Sequence, residues 1–100
     1  MASTRVPYEL SEEADNDLQQ IYEYTAARFG LDQAVNYLRG LDDLFHALAV
    51  HPHIGRMRNE IRKDVRSSSY VSHIVFYRVL EKHIRIVRIL HASRDIPRFL

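Results

Sequence analysis

The spacing of apolar residues changes once along this chain, and that change limits the folds open to it. From Glu12 to Val50 largely apolar residues recur every third or fourth position. Ala14, Leu18, Ile21, Tyr22, Thr25 and Phe29 form one run; Ala34, Tyr37, Leu38, Leu41, Leu44, Phe45 and Leu48 form a second. That interval stacks side chains on one face of an α-helix. After Val65 the text turns to Val, Ile, Phe and Tyr in "VRSSSY" (65–70), "SHIVFYRVL" (72–80) and "IRIVRILH" (84–91), the residues a pleated surface accommodates best.

The punctuation agrees. "VPYELS" (6–11) reads as a short first strand, with Pro7 tolerated at a strand start or sheet edge. Ser11 is a good N-cap, and Glu12, Glu13 and Asp15 place negative charge in the first turn, where the helix dipole favours it. Asp15, Asp17, Gln19, Gln20 and Glu23 are left to solvent. Gly30 stops the helix, Asp32 is positioned to cap the next, and so short a linker requires an antiparallel helical hairpin. Gly40 inside the second helix costs about 1 kcal/mol relative to alanine, which marks close packing. The second helix ends near Pro52, and "HIGRMRNEIRKD" is irregular. The expected order is β-α-α-β-β-β: one α+β domain over residues 1–100, its helical hairpin packed on an antiparallel sheet, with a tail from about residue 92.

Between the last two strands "EKH" fits a tight hairpin. Pairing Tyr77 with Val87 would set Val75 against Ile89 and His73 against His91. Alternation along the last strand would then turn Arg85 and His91 one way and Arg88 the other.

Composition removes several chemistries. The 100 residues contain no cysteine, so disulfide scaffolds, thiol catalysis and Cys-based zinc sites are excluded. No apolar run approaches a membrane span and no signal-peptide pattern opens the chain, so a cytoplasmic protein without membrane contact is expected. "HPH" (His51, His53) lacks a third ligand, and the three dispersed glycines make no phosphate loop; no metal or cofactor is called for. The net charge of +1 conceals −6 on residues 1–50 and +7 on residues 51–100, and arginines outnumber lysines twelve to two. Arginine forks suit carboxylates and phosphates. Metal-free RNA cleavage by basic and imidazole groups would draw on Arg66, His73, Arg88, His91 and Arg94; the competing reading gives each a structural hydrogen bond.

In this order and spacing, "YELSEEADNDL", "P-x-x-GR" at Pro52 to Arg56, "HIVFYRV" at His73 to Val79 and "RILHASRD" at Arg88 to Asp95 resemble the ParE branch of the RelE/ParE toxins of type II toxin–antitoxin systems. The resemblance runs from Tyr8 to Asp95. It implies a non-enzymatic toxin that inhibits DNA gyrase by protein–protein binding and forms a hetero-oligomer with a ParD-like antitoxin, with DNA contacted only through that antitoxin. The alternative is a ribosome-dependent mRNA endoribonuclease of RelE type. Those nucleases gather Lys and Arg on the concave sheet face, whereas this chain has only Lys63 and Lys82 as lysines. Antitoxin contacts are expected at Tyr24 and Tyr37 beside the hairpin, and at His73, Val75, Tyr77 and Arg88 on the sheet. Target contacts are expected at His91, Arg94, Asp95, Arg98 and Phe99. Both central strands are apolar on both faces, so the face away from the helices needs a cover, from the tail or from a partner.

Overall fold

A computed structural model describes residues 7–100. Val6, expected to begin the first strand, lies outside that range. The elements are β1 (Tyr8–Leu10), α1 (Glu12–Phe29), α2 (Leu31–Val50), β2 (Arg56–Met57), β3 (Arg66–Tyr70), β4 (His73–Val79), β5 (Ile84–His91) and α3 (Ile96–Phe99). The strands form one sheet in the order β1-β5-β4-β3-β2. All neighbours are antiparallel except β1, which runs parallel to β5. The expected α+β architecture is present, with two additions: β2 in the stretch read as irregular, and a single turn of helix in the tail. No helix among the described residues is long and apolar enough to cross a membrane.

Ser11 joins the first strand to the first helix. Its Oγ accepts from the Ala14 backbone N–H at 2.9 Å, capping α1, and donates to the Val87 carbonyl at 2.7 Å; its own N–H donates to the Ile86 carbonyl at 2.9 Å. One residue thereby fixes the start of α1 against β5. Gly30 alone connects the helices. At φ 97° it occupies a region that side chains avoid, and its carbonyl accepts from Ala34 as α2 begins. Asp32 is therefore not the cap: it lies in the first turn of α2, where its charge still complements the dipole.

Helix-facing side chains form the main core. Ala14 and Ile21 of α1 and Leu41, Phe45 and Leu48 of α2 pack on Val75, Tyr77, Ile84, Ile86 and Ile89 of the sheet. Burying each large member contributes roughly 1.5–3 kcal/mol. Two glycines permit this closeness. A Cβ on Gly40 would stand 1.8 Å from the Tyr70 hydroxyl, and one on Gly55 would stand 2.3 Å from the Tyr77 hydroxyl. That hydroxyl accepts from the Gly55 N–H at 2.9 Å and donates to the Pro52 carbonyl at 2.8 Å, which explains the Pro-x-x-Gly spacing as a strap over β4. Phe29, counted in the apolar stripe, is instead 64% exposed at the hairpin tip, beyond the reach of the sheet.

The far face is covered by the chain itself. Val65, Phe76 and Leu90 are buried beneath Ile61, Ile74 and the tail residues Ile96 and Leu100.

The β4–β5 ladder departs from simple pairing. His73 opposes His91 and Val75 opposes Ile89, as expected, but Tyr77 opposes Ile86 rather than Val87 because a bulge intervenes at Phe76/Tyr77. An extra residue inverts the alternation beyond it. Ile84 and Ile86 thus join Ile89 against the helices, and Arg85 shares the far face with Arg88 instead of the face of His91. The expected division of the arginines is corrected accordingly.

Candidate functional site

The principal groove lies where α1, the ends of β4 and β5, and the tail converge. β1 is only three residues long and pairs with β5 only as far as Ile86. Past that point β5 has a free edge, and α1 serves it. The Asp17 carboxylate accepts from the Ile89 backbone N–H at 2.9 Å, from Arg88 Nε at 2.8 Å and from Arg88 Nη2 at 2.9 Å. Sequence reasoning left Asp17 to solvent; it is 7% exposed. The signal was present, since Asp17 lies three residues after Ala14 and four before Ile21, on the buried stripe. Hydrogen bonding by Asp17 raises the Arg88 pKa still further, and Arg88 Nη1 donates to the Phe99 carbonyl at 2.9 Å, drawing the tail in.

This pair forms one wall of a cavity of about 610 Å³, whose lining includes Glu13, Asn16, Gln20, Ile21, Tyr24, His73, Leu90, His91, Arg94 and Phe99. The volume falls within the range of pockets that take a small ligand or a set of anchoring side chains. Its floor is apolar at Ile21 and Leu90 and its rim is polar. Arg94 places its guanidinium carbon 4.8 Å from the centre of the Phe99 ring, and Tyr24 is 60% exposed at the mouth.

The two histidines meet here, ring centroids 5.3 Å apart and nearly perpendicular. The Tyr37 hydroxyl and His73 Nδ1 are hydrogen-bonded at 2.8 Å, and His91 Nδ1 and the Ser93 hydroxyl at 2.8 Å. Burial lowers the His73 pKa first, and His91 adds to that effect, while Asp17 opposes it. Unfolded chains protonate this residue near 6.5, before the folded protein does. Stability is therefore expected to fall as pH drops through about 6.5 and to level off once the folded imidazole is also protonated; above that window His73 contributes no pH dependence. Urea unfolding at several pH values, compared with His73→Asn, measures it. The variant should lose part of the acid-side slope, and parallel curves would contradict the assignment.

Of the residues expected to bind partners, Tyr24, His73, Arg88, His91, Arg94 and Phe99 line this one groove, although they had been divided between antitoxin and target. Tyr37 lies behind it, packed edge-on against His73 and Tyr70. Val75 and Tyr77 are not on an open surface: both are 0% exposed beneath the helices and belong to the core. Asp95 precedes α3 and Arg98 lies within it; both are exposed and neither lines the groove. Sequence reasoning missed Glu13, Asn16 and Gln20, which recur on α1 at the same helical interval as Tyr24.

Four of the five residues considered for RNA cleavage, His73, Arg88, His91 and Arg94, line this groove, and Arg66 does not. Arg66 is held on the strap, donating to the Gly55 carbonyl at 2.8 Å and the His53 carbonyl at 3.3 Å, and Arg88 is engaged by Asp17. Among the described residues no three His, Asp or Glu side chains converge to hold a metal.

Residues 8–96 match the family described as the ParE toxin of the type II toxin–antitoxin system, parDE. The chain is 44% identical over 94 residues to toxin ParE1 of Mycobacterium tuberculosis (strain H37Rv), spanning 93% of this chain and 96% of that one. To toxin ParE1 of Caulobacter vibrioides it is 39% identical over 89 residues, 89% of this chain and 92% of the relative. A chain of the chromosomal ParDE system from P. aeruginosa shares the fold, with a TM-score of 0.75 and 22% identity over 86% of this chain and 95% of that one.

Proposed function

Because the chain belongs to the ParE family, the toxins of type II toxin–antitoxin systems, we propose that it arrests growth in the cytoplasm by binding DNA gyrase without covalent chemistry, and that a ParD-like antitoxin neutralises it. The family resemblance suggests the target; the groove supplies a means of binding. An apolar floor of Ile21 and Leu90, aromatic edges at Tyr24 and Phe99, and a rim of Glu13, Gln20, His91 and Arg94 suit the anchors and polar flank of an amphipathic segment.

The observation that carries this reading is the convergence of six expected partner residues on a single cavity. If antitoxin and gyrase both use it, they exclude each other, and neutralisation is occlusion. The nuclease alternative finds less support, since Arg66 is held on the strap apart from the histidines and Arg88 is engaged by Asp17. Purified protein should block supercoiling by gyrase, and added antitoxin should restore it. Undiminished supercoiling at stoichiometric excess, with codon-linked transcript cuts after induction, would instead favour the nuclease.

A further inference from the structure

The far face of the sheet carries a charge pattern that the core does not use and that meets the groove at Arg88. The bulge sets Arg78 of β4 directly opposite Arg85 of β5. Neighbouring strands lie about 4.8 Å apart, and like charges directly opposed destabilise a sheet. Arg62 reaches over from the segment after β2, and Arg88 approaches from farther along β5. These four arginines line one cavity of about 320 Å³, with Ser11 and Glu13 at its border and Phe99 and Leu100 beside it. Glu9 pairs with Arg85 and Asp17 with Arg88. Among the described residues Arg62 and Arg78 form no ion pair with Asp or Glu, and Arg62 instead donates to the Leu100 carbonyl at 2.7 Å. An anion lying across two opposed guanidiniums, one of them without a carboxylate partner among the described residues, would relieve their repulsion.

We propose that the Arg62, Arg78, Arg85 and Arg88 cluster is a second binding site, which takes the phosphodiester backbone of nucleic acid. Two features favour phosphate over an acidic peptide. Peptide docking draws most of its energy from apolar and aromatic anchors in pockets, and on this face Val65 and Phe76 are already buried in the cluster that the tail packs against. Phosphate recognition needs no such anchors, only forked cationic donors and released counterions. Glu13 borders the cavity and Glu9 and Asp17 pair with two of its arginines, so Arg62 and Arg78 are the cations that no Asp or Glu among the described residues engages. Such a site departs from the expectation that DNA is reached only through the antitoxin.

Anisotropy of a short labelled DNA duplex of arbitrary sequence, titrated with the purified chain over a salt series, tests the site without gyrase, so its failure and failure of the gyrase reading are separable. Binding should weaken linearly in log–log form with salt, and Arg78→Gln should reduce that slope by about 1 and weaken binding severalfold at low salt. The same substitution removes a like-charge opposition, so the melting temperature should hold or rise, which distinguishes a lost contact from a lost fold. No binding at low salt, or binding indifferent to Arg78→Gln and Arg85→Gln, would overturn the proposal. Displacement of the duplex by a poly-glutamate peptide at equal charge concentration would assign the face to acidic proteins, and displacement by low inorganic phosphate would reduce it to a single-anion pocket; either would overturn it too.

Discussion

Replacing Asp17 with alanine is expected to destabilise the protein by about 3 kcal/mol, the lower end of the range for breaking a buried ion pair by removing one partner. The cost arises in what remains. Arg88 loses two hydrogen bonds, of 2.8 and 2.9 Å, and the Ile89 N–H loses its carboxylate acceptor on a strand edge that β1 is too short to cover. A buried backbone donor left without an acceptor costs roughly 1–3 kcal/mol. The Arg88 side chain keeps 20% of its exposure, so water recovers part of its solvation, which is why the upper end of the range is not expected. Arg88 also holds the Phe99 carbonyl, so the tail should loosen with it. Urea unfolding provides the measurement: the midpoint should fall with the slope unchanged. Asp17→Asn retains an acceptor for Ile89 and should lose less. A joint Asp17→Leu, Arg88→Met variant removes both charges and should recover a large part of the loss. A change below about 1 kcal/mol for the alanine variant would show that the pair is solvated like an ordinary surface bridge.

Asp17 also illustrates what was legible in the sequence. The Ser11 cap, both helical stripes apart from Phe29, the role of Gly40 and the three long strands follow from local rules, and the structure reproduces them. An aspartate on a buried stripe becomes intelligible only when the partner strand is seen to outrun β1, which is a fact of tertiary pairing. The bulge is likewise invisible: "IRIVRILH" is apolar enough on both faces to accept an extra residue at Val87, and alternation alone could not separate Arg85 from His91. Val75 and Tyr77 were misplaced for a related reason. Val75, Phe76 and Tyr77 are all fully buried, so the side facing the helices depends on the strap from Pro52 to Gly55, whose meaning requires the Tyr77 hydroxyl beneath it. β2 and α3, of two and four residues, are too short for any periodicity to announce them.

Reversing one charge in the groove should disable both partner interactions together. Arg94 is exposed, and its guanidinium caps the Phe99 ring at 4.8 Å, so Arg94→Glu replaces a cation–π contact with a carboxylate near Glu13 and Asp17, without touching the core. The folded state should survive, because surface substitutions away from buried features usually change stability by about 0.5 kcal/mol or less. Binding should not. Arg94 lies on the rim, but arginine is enriched among the residues whose removal costs an interface roughly 2 kcal/mol or more, and the reversed charge adds an unfavourable contact. Gyrase inhibition and antitoxin affinity are both expected to weaken by at least about thirtyfold, the equivalent of roughly 2 kcal/mol. The same reversal at Arg39, exposed on α2 and outside the groove lining, should change neither. A supercoiling assay and calorimetric titration with antitoxin give the two numbers. A fall in one with the other intact would mean that toxin and antitoxin meet elsewhere, and that neutralisation does not proceed by covering the surface the target uses.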